Sequence, residues 1–217
     1  MPVQRIDIVS DVVCPWCYIG KRQLEEALQR WREARPQEPA PVVAWHPFQL
    51  SPETPIEGVD RDAYMQAKFG TADLSRMHAR IEPAASAVGL KLNFDRIGRQ
   101  PNTRPAHALI AACELGAPQE RMVEALFRGF FVDGVDLSNP DTLVELAVSA
   151  GLPRQAARGL VDDAATLDAV AQADRELRSM GISGVPFFVV DQKVGVSGAQ
   201  GADALYAALE RADAQAG

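Results

Sequence analysis

The sequence predicts an α/β fold in which a small sheet domain is interrupted by a large α-helical insertion. Three observations carry this. Strand-like stretches lie near both ends of the 217-residue chain, and about 120 residues between them show helical periodicity with almost no strand signal. A Cys14-Pro15-Trp16-Cys17 motif stands where the first strand pattern gives way to the first helical one. The predicted organisation is a first sheet part over 1–57 carrying the motif, a helical insertion over 58–180, and a second sheet part over 181–217.

The elements follow in order. Pro2 to Val9 alternates closely enough to period two for a strand, with Val3, Ile6 and Ile8 as its β-branched residues. Leu24, Leu28 and Trp31 recur at helical spacing within Tyr18 to Arg35. The Pro-rich stretch from Pro36 to Pro41 leads into a second strand, Val42 to Phe48. In the insertion, Pro83 is expected to divide or kink the 73–88 segment. Leu109, Ala112 and Cys113 suit a helix begun near Thr103, and Met122, Ala125, Leu126 and Phe130 form a stripe after Pro118. Asn139-Pro140, then Leu143, Leu146, Ala147 and Ala150, then Gly151, reads as cap, first-position proline, apolar face and terminating glycine. Leu167, Val170, Ala171 and Leu177 suit a further helix ending around Gly181. Strands return at Val185 to Val190 and Val194 to Val196 around an Asp191-Gln192-Lys193 turn, and a closing helix runs from Gly201 to Arg211 with Leu205 and Leu209 inside.

Composition narrows the function. The chain is 47% hydrophobic and 24% charged, ordinary for a globular protein, and no run is long enough to span a bilayer. A net charge of −7 with no clustered basic stripe argues against a nucleic-acid partner. Strand-like sequence begins at once, with no basic region, apolar core and cleavage site before it, so a cytoplasmic address is expected. In a reducing compartment structural disulfides are rare, and a CxxC there serves catalysis or metal binding. Zinc needs four ligands, and Cys113, His46, His78 and His107 offer no ligand-spaced pair, so no metal is expected.

Two of the three cysteines on a strand-to-helix corner therefore point to redox chemistry. Unpaired N–H groups and the positive end of the helix dipole converge on the first cysteine and favour its thiolate. Pro15 suits the first helical position, where its missing N–H costs nothing. Cys17, three residues on, shares that face and can close a small disulfide ring.

The element order, the Cys14-Pro15-Trp16-Cys17 motif and Gly184-Val185-Pro186-Phe187 resemble the thioredoxin-fold superfamily, more narrowly its DsbA-like group with a helical insert and the FrnE-like oxidoreductases within it. Further matching pieces are Ser10-Asp11 before the motif with Gly20 behind it, Asn102-Thr103 with Ala106-His107, Phe130-Phe131 before Gly134, Gly181 to Pro186, and Ser197-Gly198-Ala199-Gln200 opening the last helix. The resemblance implies a thiol–disulfide oxidoreductase with Cys14 as nucleophile, Cys17 as resolving thiol and Pro186 as a cis-proline facing them. By residue pattern alone Pro186 reads as a trans proline opening a strand. A cis bond would leave the backbone N–H and C=O of Val185 free to pair with a cysteine-containing peptide or with glutathione. Pro-Trp offers no ionisable group inside the ring, so a weak-to-intermediate potential is expected.

Other residues carry two readings each. Trp16 covers the disulfide or packs on a neighbour. Asn102 and Thr103 cap a helix or touch substrate. Ser197 to Gln200 hold a glutathione carboxylate at a helix N-terminus or form an ordinary cap. His107 reads as structural, with proton transfer the alternative, and His46 and His78 as structural. Lys21 and Arg22 read as a solvated helix face, and Cys113 as an inert buried thiol. The expected partners are thiol- or disulfide-containing proteins or glutathione, the latter as reductant or co-substrate with no tightly bound cofactor; no membrane is expected, and a homodimer is compatible with the resemblance. The alternative is a glutathione-dependent isomerase or transferase of the 2-hydroxychromene-2-carboxylate isomerase or kappa type. Those relatives typically carry serine at the first cysteine position, so retention of both Cys14 and Cys17 argues for the oxidoreductase.

Overall fold

The computed structural model describes residues 3–70 and 74–215. Pro2 and Asp73, included in two of the predicted segments, lie outside them. The main sheet has four strands in the order β2-β1-β5-β6: β1 (Arg5–Ser10), β2 (Val42–Pro47), β5 (Phe187–Val190) and β6 (Val194–Ser197). Strand β1 runs parallel to β2, with Ile8 opposite Trp45, and antiparallel to β5, with Ile8 opposite Phe188. Ile6, Ile8 and Phe188 are fully buried, the burial that their apolar side chains drive. Asp191 and Gln192 adopt positive φ values of 47° and 57° between β5 and β6, the geometry of a type I′ hairpin turn. The Asp191 carboxylate also accepts hydrogen bonds from the Gln4 and Arg5 N–H groups at 3.0 and 2.8 Å, tying the turn to the start of β1.

Helix α1 (Pro15–Ala34) and helix α9 (Ala202–Ala214) pack together, with Trp31 edge-on to Tyr206 at 5.9 Å. Between β2 and β5 lies the predicted helical block: α2 (Arg61–Phe69), α3 (Ser75–Ala87), α4 (Arg104–Ala111), α5 (Ala117–Arg128), α6 (Pro140–Ser149), α7 (Arg154–Asp162) and α8 (Ala164–Ser179). Helix α6 starts as expected, the Asn139 side chain accepting from Asp141 and Thr142 N–H with Pro140 in the first turn.

Three features depart from expectation. A two-residue ladder pairs β3 (Val59–Asp60) with β4 (Arg99–Gln100) inside the block, too short to leave a periodic signal. Neither helix α2 nor helix α7 has its own expectation from the sequence, because burial is confined to Met65 in the first and to Ala157 and Val161 in the second. Of the two expected effects of Pro83, division does not occur: α3 continues through it.

Candidate active site

The turn after β1 delivers Cys14 to the N-cap of α1, with extended backbone (φ −95°, ψ 112°) and Pro15 next. Its N–H donates to the Asp11 carbonyl at 3.0 Å, and its carbonyl accepts from Cys17 N–H at 3.0 Å. Both cysteines are free thiols. Cys14 is 5% exposed and Cys17 fully buried, so an incoming sulfur meets Cys14 first. Burial, and then the neighbouring Cys14, push the Cys17 thiol well above its ordinary range, against opposing hydrogen bonds from the Ser10 side chain and the Asp11 backbone.

The Val185–Pro186 peptide bond is cis, and the Cys14 thiol donates towards the Val185 carbonyl, the Sγ lying 3.8 Å away. Gly198 N–H donates to the Pro186 carbonyl at 2.8 Å, and Ser197 pairs with Phe187, so the end of β6 flanks this loop. Gly20 allows the approach of α1 to it: a Cβ there would stand 3.0 Å from Phe188 Cζ and 3.1 Å from Pro186 Cγ. Gly20→Ala is therefore expected to lower stability. Better helix propensity returns about 1 kcal/mol, while forcing two rigid rings apart costs roughly 1–3 kcal/mol. Denaturant titration checks this, and a variant as stable as the wild type would show that the rings yield.

The remaining predicted residues are placed as follows. Trp16 is half-buried against the core. Asn102 is buried and uses its amide internally: its oxygen accepts from Arg104 N–H at 3.0 Å, and its nitrogen donates to the Thr54 carbonyl at 2.5 Å. Thr103 precedes α4 without a side-chain cap bond. Ser197 and Gln200 are exposed, and Gln200 donates to the Ser197 carbonyl at 3.1 Å. Neither caps α9, whose cap residue is Gly201 with its N–H on the Gln23 side chain at 3.0 Å. His46 meets Asp7 at 2.7 Å, and His78 stacks on Phe94 at 4.2 Å. Cys113 is half-buried rather than buried, and burial raises its thiol pKa.

Two groups near the motif exceed the sequence reading. Asp11 is 1% exposed; one carboxylate oxygen accepts from Leu50 N–H at 2.7 Å, while the other makes no hydrogen bond and lies 3.5 Å from His107 Nε2. An acidic residue closing an apolar strand was the available signal. Lys21 is not on a solvated face. It is 3% exposed and pairs with Glu25, with Glu124 at 3.0 Å and with Glu120 at 3.6 Å. Arg22 pairs with Glu25 at 2.8 Å and with Glu124. Helix α5, laid across α1, supplies Glu120 and Glu124 and stacks Phe127 on Tyr18 at 4.9 Å. Burial alone would lower the Lys21 pKa, but its three carboxylates hold it above the ordinary value. Burial and Glu124 push the Tyr18 hydroxyl up to about 12.

Sheet, flanking helices and the corner cysteines together define a protein with a thioredoxin-like fold carrying a helical insertion. The chain belongs to the family of the DSBA-like thioredoxin domain, whose model matches residues 5–210. It is similar to a solved structure described as a probable DsbA oxidoreductase from Streptomyces coelicolor, at 34% identity and a TM-score of 0.82, over 97% of this chain and 90% of that one. It is 28% identical over 208 residues to the uncharacterized protein YwbO of Bacillus subtilis, covering 94% of each. A solved 2-hydroxychromene-2-carboxylate isomerase shares the fold at 14% identity and a TM-score of 0.70, over 98% of this chain and 97% of that one.

Proposed function

We propose that this protein catalyses thiol–disulfide exchange, with Cys14 as nucleophile and Cys17 as resolving thiol. The observation that carries the reading is the meeting of the Cys14 sulfur, on a residue 5% exposed, with the Val185 carbonyl at the Val185–Pro186 loop, beside a second thiol that is fully buried. Strand β5 begins only at Phe187, so the Val185 backbone lies outside the sheet ladder and is available to an extended peptide or to glutathione.

As a reductase, the Cys14 thiolate attacks one sulfur of a substrate disulfide. A Cys14–substrate bond forms as the substrate S–S bond breaks, and the first thiolate leaves and takes up a proton. Cys17, after losing its proton, displaces the second thiolate and closes the Cys14–Cys17 disulfide. Two electrons pass from dithiol to substrate, and oxidation of a dithiol runs the same steps backwards. Pro186 shapes the peptide-binding edge, and Ser197 flanks it. The substrates are thiol- or disulfide-containing proteins or glutathione, handled in a reducing compartment.

Equilibration with glutathione redox buffers, followed by Trp fluorescence, tests this. The wild type should show one reversible two-electron transition between about −120 and −270 mV, and Cys14→Ser none. No transition, with tight glutathione binding by the dithiol form, would favour the isomerase or transferase chemistry.

A further inference from the structure

We propose that a pocket on the insertion side of the Cys14 turn binds low-molecular-weight thiols and disulfides bearing a carboxylate on an apolar body. Helices α2 and α3 wall the pocket, whose volume is about 300 Å³. That is within the range of small-molecule sites, roughly 300–1,000 Å³. Val13 and Pro15, the residues on either side of Cys14, line it, so an occupant lies beside the thiol-bearing turn. Met65, Met77, Ile81 and Phe94 give it apolar walls. Leu50 and Phe69 also line it and stay 38% and 49% exposed, unusual for large apolar side chains in this protein.

Charge identifies the occupant. In a chain of net charge −7, the described lining contains Arg61 and Lys68 and no Asp or Glu. Among the described residues the Lys68 ammonium bonds only neutral acceptors: the Leu50 carbonyl at 3.1 Å, Ser51 Oγ at 2.7 Å and the Tyr64 hydroxyl at 2.6 Å. The Arg61 guanidinium donates to the Gln100 side chain and lies 5.9 Å from the Phe130 ring centre. Among the described residues, neither cation meets a carboxylate at ion-pair distance. Asp60, Asp62 and Asp95 line an adjoining, more polar cavity instead. Burial drives the Arg61 pKa down to about 10, against the pull of Tyr64 and Asp62. Arg61, largely buried and without a carboxylate at ion-pair distance among the described residues, is held at a cost that a bound carboxylate removes, and the exposed Lys68 ammonium adds a second positive charge at the same wall.

The binding claim stands without the exchange reading; the substrate claim rests on it. Calorimetric titration with octanoate and with its neutral counterpart octanamide tests the first. Octanoate should bind wild type about tenfold more tightly than octanamide, the scale of one charge-assisted hydrogen bond. Lys68→Gln and Arg61→Gln should each remove about that factor, and Lys68→Arg should restore binding. Lys68 is exposed and at the end of α2, so its variants test the pocket even if Arg61→Gln unsettles the Gln100 contact. Equal affinities for octanoate and octanamide, or octanoate affinity unmoved by Lys68→Gln, would overturn the proposal. For the second claim, the rate of reducing the disulfide of mercaptohexanoate should fall in Lys68→Gln, while that of mercaptohexanol disulfide stays unchanged. Equal effects on both rates would overturn the substrate claim. If wild type reduces neither disulfide yet binds octanoate selectively, the exchange reading falls and the pocket stands.

Discussion

Replacing Cys17 by serine is expected to trap the reaction halfway. Cys14, at 5% exposure, still attacks a disulfide, but nothing buried beneath it can displace the adduct. Incubated with oxidised glutathione, Cys17→Ser should accumulate one covalent glutathione per chain on Cys14, visible by intact-mass spectrometry and reversed by excess dithiol. Cys14→Ser should form no such adduct, because the remaining motif thiol is fully buried and its pKa well raised. Turnover in insulin reduction should drop in both variants by about a thousandfold, roughly 4 kcal/mol of transition-state stabilisation. An adduct on Cys17 in the Cys14→Ser protein would reverse the assignment of roles. Full activity of Cys17→Ser on a chromene carboxylate would transfer the protein to the isomerase class.

The second large effect concerns stability. Lys21→Met should destabilise the fold by about 3 kcal/mol, since removing one partner of a buried ion cluster typically costs 3–5 kcal/mol. The lower end applies because Glu124 and Glu120 keep side-chain exposures of 30% and 28%. For a chain of this length the melting temperature should fall by about 6–12 °C.

The pH dependence separates lost charge pairing from lost packing. In the wild type the Lys21 pKa is raised above 10.5, so its contribution is complete below that pH and is lost as pH rises through the folded value. Burial opposes ionisation of Glu124, but Lys21 and Tyr18 bring its pKa below 4.5, so its contribution holds above that pH and is lost on acidification through the folded value. Glu120 behaves oppositely: burial raises its pKa above 4.5 despite Lys21 and Trp45, so ionising it lowers stability as pH climbs through that range. Without Lys21 both carboxylates become hard to ionise, and the gap between variant and wild type should be widest near neutrality and narrow below pH 4.5. Glu120→Gln added to Lys21→Met should recover part of the loss. A gap independent of pH would mean that Lys21 acts only by filling space.

Much of the architecture was legible because local chemistry and tertiary demand agree. Asn139-Pro140 caps a helix wherever it is buried, and Ile6, Ile8 and Phe188 belong to a sheet by pattern as well as by pairing. The motif was legible for the same reason: Pro15 in the first turn is a local preference, and it fixes the helix start at Cys14 beside it. What escaped depends on partners distant in sequence. Lys21 looks like any helical lysine until α5 sets two glutamates over it, about a hundred residues away. Asp11 and His107 meet only because the turn after β1 comes up to α4. Helix α7 buries just two of its residues, Ala157 and Val161, and the β3–β4 ladder has no room for periodicity. Ser197 and Gln200 were misjudged as openers of the last helix because Gly201, at φ 98°, assumes that position.

Helix α1 carries the motif at its tip and meets α5 over the two turns that follow it. Its Tyr18 ring and Lys21 ammonium are completed by Phe127, Glu120 and Glu124. The inserted helices are thus not an accessory hung from a self-sufficient smaller protein. Excising them would strip one flank from the helix that positions Cys14, exposing an aromatic ring and leaving the Lys21 ammonium with Glu25 alone. Any trimming towards a minimal redox module has to redesign α1 first.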